Sequence, residues 1–123
     1  MIKIDNYIGG ELVQPASGEY LDNFDPSIGE IYSLIADSDD RDVHLAVEAA
    51  KAAFPAWSAT SVEARHDILM RLVNLIERNL EPLALAESID NGKPVSLARA
   101  VDIPRAVANF KFYATAAMHT ANE

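Results

Sequence analysis

One change of period divides the sequence and limits what it can fold into. Up to about residue 36, short runs of β-forming residues alternate with glycine and proline turns; after Ser38, apolar residues recur at helical spacing. In the first part, Tyr7-Ile8-Gly9-Gly10-Glu11-Leu12-Val13 reads as a strand, a two-glycine turn and a strand, since both central turn positions tolerate positive φ. Residues 20–24 and 30–36 read as further strand segments. Between them Asp25-Pro26-Ser27-Ile28-Gly29 has the chemistry of a turn. The expected layout is strands and turns over 1–36 and helices over 38–120.

The helical part carries its own punctuation. Ser38 is expected to cap a first helix, with Asp39, Asp40 and Asp42 in its first turn facing the positive end of the dipole. Val43, Ala46, Val47, Ala50 and Phe54 form its apolar stripe, and Pro55 is expected to end it. Thr60-Ser61-Val62-Glu63 matches a capping box built on Thr60 and Glu63. The helix that follows places Arg65, Ile68, Leu69, Leu72, Val73 and Ile76 on one side. A third helix is expected from Pro82 to a stop at Asn91-Gly92. The last runs over 95–118, with Leu97, Ala98, Val101, Val107, Phe110 and Ala114 as its buried face. Pro104 must kink or split that helix, and Asp102 is placed to cap the second piece.

Composition narrows the function. The 123 residues suit one domain, long enough to bury roughly two-thirds of the unfolded surface. With 10 Lys+Arg against 19 Asp+Glu, the formal charge of −9 disfavours nucleic acid and anionic lipid surfaces as partners. No cysteine occurs, so this sequence contains no disulfide, thiolate metal ligand or cysteine nucleophile. Met1-Ile2-Lys3-Ile4-Asp5-Asn6 lacks the apolar core of a signal peptide, and no stretch is long and apolar enough to span a bilayer, so a cytoplasmic protein is expected.

Chemical motifs are sparse. The acidic cluster Asp37, Asp39, Asp40 and Asp42 lacks the glycine and closing glutamate of a calcium loop and reads as a solvated helix start. His44, His66 and His119 have no second metal ligand at helical spacing. The glycines at 9, 10, 18, 29 and 92 make no phosphate-binding loop. Trp57 reads as a packing anchor.

A resemblance carries the reading further. Asp90-Asn91-Gly92-Lys93-Pro94 resembles the D-N-G-K-P signature of NAD(P)-dependent aldehyde dehydrogenases. Other pieces follow in the family's order. Asn6-Tyr7-Ile8-Gly9-Gly10 is similar to its opening strand, and Phe24-Asp25-Pro26-Ser27-Ile28-Gly29-Glu30 to its N-P-x-x-G-E turn. The pattern from Asp42-Val43 through Phe54 and Trp57 resembles its first long helix. Arg65, Leu69 and Leu75-Ile76-Glu77 match the next, and Lys111-Phe112-Tyr113-Ala114 its R-Y-Y-A stretch.

The resemblance implies an α/β family fold with a Rossmann-like cofactor domain. This chain would supply the N-terminal part of that domain: an antiparallel β section followed by four or five helices, without the parallel sheet. It implies oxidation of an aldehyde to an acid with NAD or NADP, through a cysteine nucleophile and a glutamate base that lie further along the family's sequence. The 123 residues look truncated by comparison. They are expected to be inactive alone, to bind no NAD or NADP alone, and to self-associate or pair with the missing remainder. The alternative is a free-standing helical interaction module or a gene remnant.

Three positions follow from the resemblance. Asp90 aligns with a carboxylate that helps hold a monovalent cation together with the backbone carbonyl near Asn23; the other reading of Asp90 is that it shapes the turn before Gly92. Arg105, in Asp102-Ile103-Pro104-Arg105, resembles an arginine of the branch acting on 2-hydroxymuconic or 2-aminomuconic semialdehydes, where it meets the substrate carboxylate. The other reading of Arg105 is a surface arginine with acidic neighbours such as Asp102.

Overall fold

The computed structural model describes residues 1–120; residues 121–123 lie outside the described residues. The chain forms two compact units, Met1–Ala59 and Thr60–Glu123.

The first unit holds β1 (Ile2–Ile4), β2 (Asn6–Ile8), β3 (Glu11–Val13), β4 (Tyr20–Asp25), β5 (Glu30–Ala36) and α1 (Asp40–Ser58). β2 and β3 form an antiparallel hairpin in register Asn6↔Val13, turned by Gly9 and Gly10 at φ 64° and 90°. β4 and β5 are antiparallel, and β1 adds to the far edge of β5 in parallel, giving the order β1-β5-β4. Three-residue β1 carries no local signal of its own; its place is set by pairing with Ser33, Leu34 and Ile35. The β4–β5 register shifts between Asn23 and Phe24, which leaves Tyr32 as the extra residue of a bulge.

Two expected features of α1 differ in the structure. Its N-cap is Asp39, not Ser38, because the Ser38 hydroxyl donates to Asn6 Oδ1 at 2.9 Å instead. Asp39 and Asp42 form a reciprocal capping box, the Asp42 carboxylate accepting from the Asp39 N–H at 2.9 Å. The helix also runs through Pro55 to Ser58. Proline so near the end removes one backbone bond and leaves most of the helix intact.

The second unit is helical: α2 (Val62–Arg78), α3 (Leu80–Asn91), α4 (Val95–Leu97), a π-helical turn (Ala98–Asp102) and α5 (Ile103–His119). Ser61, one residue after the expected Thr60, caps α2 by accepting from the Ala64 N–H at 3.1 Å. Its predecessor's carbonyl accepts instead from Arg65 Nη2 at 3.0 Å. α3 begins two residues before Pro82, which therefore sits in a first turn where its missing N–H is no loss. Gly92, at φ 74°, ends α3 and donates its N–H to the Ser88 carbonyl. Pro104 splits the last helix as expected, by a π turn: the Ile103 N–H reaches back five residues to the Ala98 carbonyl. The widened turn answers the lost donor and the ring clash that proline imposes on a regular helix.

The side chains buried most deeply are small. Val73, Ala84 and Ala98 are fully buried, with Ala114 and Val107 close behind, and α2 packs on α5 around them. The apolar stripes read from the sequence reach well beyond this core. Val43, Val47 and Phe54 of α1, Leu72 of α2, and Leu97, Val101 and Phe110 of the last helical run all stay exposed. Trp57, expected as a packing anchor, is 46% exposed. Exposure of contiguous apolar faces is the usual mark of a surface that another structure covers.

Candidate functional site

The D-N-G-K-P run ends one helix and starts the next, and each residue has a backbone reason. Asn91 Oδ1 accepts the Lys93 N–H at 2.9 Å, and Asn91 Nδ2 donates to Glu87 Oε1 at 2.7 Å. Ser88 Oγ donates to the Lys93 carbonyl at 2.5 Å. Pro94 fixes φ at −54° and its carbonyl accepts the Leu97 N–H, which opens α4.

The Lys93 side chain then crosses to the π turn. Its Nζ lies 2.6 Å from Asp102 Oδ2, with both side chains about 70% buried. This is a correction to the capping role expected for Asp102, which makes no side-chain cap bond. Arg99, in the same turn, grips Glu81 of α3 with Nε at 2.7 and 2.9 Å from the two carboxylate oxygens. That contact raises the Arg99 pKa and holds the Glu81 carboxyl below its ordinary value. Two ion pairs thus brace the π turn. Neither was visible in the sequence, because residues nine and eighteen apart share no local period.

Arg105 sits in the first turn of α5, exposed. Among the described residues it has no hydrogen bond or ion pair. Asp102, the neighbour expected to satisfy it, is engaged by Lys93. Beside it in sequence, Ile103, Pro104 and Val107 line a cleft of about 230 Å³ with Glu77 and Leu80 of α2 and α3. Lys111 of α5 pairs with Glu77 of α2 at 2.7 Å.

Asn23 lies in the first unit, at the β4 bulge. Its Nδ2 donates to Tyr32 Oη at 2.9 Å and to Ser33 Oγ at 3.1 Å, both reached because the bulge offers two residues to one. Asp90 lies in the second unit, exposed in the last turn of α3. Neither unit by itself contains both residues. Among the described residues, no three His, Cys, Asp or Glu side chains converge as metal ligands. The acidic cluster is the start of α1: Asp39 caps and chelates Arg41, and Asp42, 3% exposed, also accepts the Ala16 N–H at 2.9 Å.

Comparison with known proteins gives this geometry a family. The aldehyde dehydrogenase family model matches residues 12–123. The chain belongs to the aldehyde dehydrogenase family. It is 47% identical over 123 residues to a 2-aminomuconic semialdehyde dehydrogenase of Bos taurus, covering all of this chain and 25% of that protein. Its fold matches that of HpcC from Thermus thermophilus with a TM-score of 0.93 at 36% identity, over 98% of this chain and 23% of that one. It also matches the NAD+ complex of an aldehyde dehydrogenase from Bacillus cereus, with a TM-score of 0.88 at 31% identity over 92% and 23% of the two chains. The chain spans about a quarter of the length of the relatives it matches. Members of the family act on aldehydes and use NAD(P). No helix among the described residues is long and apolar enough to cross a membrane.

Proposed function

We propose that this chain works as the N-terminal part of the cofactor-binding domain of an NAD(P)-dependent aldehyde dehydrogenase that oxidises a carboxylate-bearing semialdehyde. The observation that carries the reading is the exposure of its apolar helix faces: Phe54 and Phe112 are each 65% exposed and Leu75 is 55% exposed. Such faces need a covering structure, and the relatives are about four times as long. Since the sequence has no cysteine, the nucleophile of the family's reaction must come from outside these 123 residues. When bound by the whole enzyme, NAD(P)+ would supply the hydride acceptor.

Within the whole enzyme, Arg105 is the residue that binds the substrate carboxylate. An exposed guanidinium without a partner among the described residues suits a substrate with an anionic end. By the family resemblance, Asp90 contributes a carboxylate oxygen to a monovalent cation in the whole enzyme. Oxygen donors suit a hard cation, and the end of α3 adds the negative pole of its dipole.

The test is to co-express this chain with the remaining three-quarters of the bovine relative and follow NADH formation with adipate semialdehyde. The expected result is co-purification, with activity that depends on both parts. Arg105→Ala should then lower kcat/KM for adipate semialdehyde by about 10- to 100-fold, the loss that one or two charge-assisted hydrogen bonds imply. A well-behaved chain that never associates, or an R105A enzyme of unchanged kcat/KM, would overturn the reading.

A further inference from the structure

We propose that Lys93 is a positioning residue for Arg105, acting through Asp102: it holds the Asp102 carboxylate away from Arg105 and so keeps that guanidinium available to an incoming carboxylate. The inference rests on the carboxylate-recognition reading of Arg105 given above.

Asp102 closes the π turn and Arg105 follows three residues later in the first turn of α5, a spacing at which Asp–Arg pairs form on helices. They do not pair. Lys93 Nζ sits 2.6 Å from Asp102 Oδ2, brought there by the Gly92 turn and Pro94. The pair is only partly exposed, so solvent screens it less than an ordinary surface bridge. Arg99, the other arginine of this stretch, is taken by Glu81. Of the three cations over residues 93–105, Arg105 alone lacks an intramolecular partner among the described residues.

The π turn adds to the arrangement. It begins at Ala98, fully buried, and ends at Asp102; one ion pair is made near its start at Arg99 and one at its end at Asp102, while Pro104 disfavours its return to a regular helix. Arg105 leaves the chain one residue after that proline. Loss of the Lys93 charge would free an anion within reach of Arg105. That anion would compete for the guanidinium and repel the substrate carboxylate.

The experiment uses the co-expressed enzyme with adipate semialdehyde and, as the neutral comparison, hexanal. Lys93→Met should raise KM for adipate semialdehyde by about fivefold, an effect sized for one helical ion pair plus one unscreened charge, and leave KM for hexanal and both kcat values in place. Adding Asp102→Asn to K93M should bring KM back to within about twofold of the parent, because the competing charge is then gone. Lys93→Arg should preserve the parent behaviour. A purely structural role predicts losses on both aldehydes and no rescue by D102N; that result, or an unchanged adipate semialdehyde KM in K93M, would overturn the proposal. An R105A enzyme that no longer discriminates while K93M still does would sink the Lys93 link alone. An R105A enzyme that discriminates normally would sink the carboxylate reading beneath it. Independently of activity, the Arg105 Nε–H resonance of the ¹⁵N-labelled chain, mixed with the unlabelled remainder of the enzyme, should shift in K93M and return in K93M/D102N; a resonance that does not move would contradict the proposal.

Discussion

Tyr20 Oη donates a hydrogen bond of 2.6 Å to Asp5 Oδ1, and Lys3 Nζ stands 4.3 Å from the centre of the same ring. The contact ties β4 to the link between β1 and β2. It favours the neutral phenol, because an ionised Tyr20 would lose its donor and face the Asp5 carboxylate. The Tyr20 pKa is accordingly pushed from 10.0 up to about 12.

The pH dependence follows in sign. The native pKa is raised, so the stability from this contact is full below pH 10 and is lost as pH rises toward about 12. Ultraviolet titration should show the Tyr20 phenol ionising late. Asp5→Asn should bring it back toward 10 and remove the steep fall in stability over the same interval. A late tyrosine that persists in D5N would contradict the assignment.

Acid should act on the opposite sign. Arg41 holds the Asp39 carboxyl below its ordinary value, chiefly through their side-chain hydrogen bonds, and Arg99 does the same for Glu81. Both contributions are present above the ordinary carboxylate range and fade as pH falls below it. These groups are exposed, so added salt should shrink the effect, and comparing acid unfolding of Arg99→Gln at low and high salt checks it.

Asp42 is the acid whose loss should cost most. It is nearly fully buried and accepts N–H groups from both Ala16 and Asp39, joining the loop before β4 to the start of α1. Asp42→Ala leaves both donors without that partner and should destabilise the first unit by about 2 kcal/mol. Denaturant unfolding read at Trp57 measures it.

Gly92 should resist substitution. Its φ of 74° belongs to the left-handed region, where a Cβ costs roughly 1–2 kcal/mol. Gly92→Ala should therefore lower the unfolding midpoint, and Gly92→Asn should lower it less, since asparagine tolerates that region better. In the complemented enzyme, G92A should also disturb the Lys93–Asp102 pair and mimic part of the K93M effect.

Much of this fold was legible because its signals are local. Gly9-Gly10 announces the hairpin, Gly92 the end of α3, and Pro104 the break in the last helix, each through backbone restrictions carried by one or two residues. Caps were read one residue off, at Ser38 for Asp39 and Thr60 for Ser61, because adjacent oxygen-bearing side chains compete and distant partners such as Asn6 and Arg65 decide the outcome. The parallel partnership of β1 with β5 and the Lys93–Asp102 bridge were not legible, since each depends on where the chain returns in space. The apolar stripes were read correctly as stripes, yet Phe54 and Phe110 remain uncovered, because periodicity identifies a face and not what covers it. The site residue Arg105 carried no local signal beyond the resemblance, and its lack of an intramolecular partner emerged only from the geometry around Asp102.

The central claim is that these helix faces belong against the rest of an aldehyde dehydrogenase. Its most direct measurement is calorimetric unfolding with dye binding of the 123-residue chain, alone and after mixing with the remaining three-quarters of the bovine relative. The chain alone should bind a hydrophobic dye and unfold in a low transition, and mixing should suppress the dye signal and raise that transition well above it. A monomeric chain that binds no dye, unfolds cooperatively by itself and is unchanged by mixing would contradict that claim.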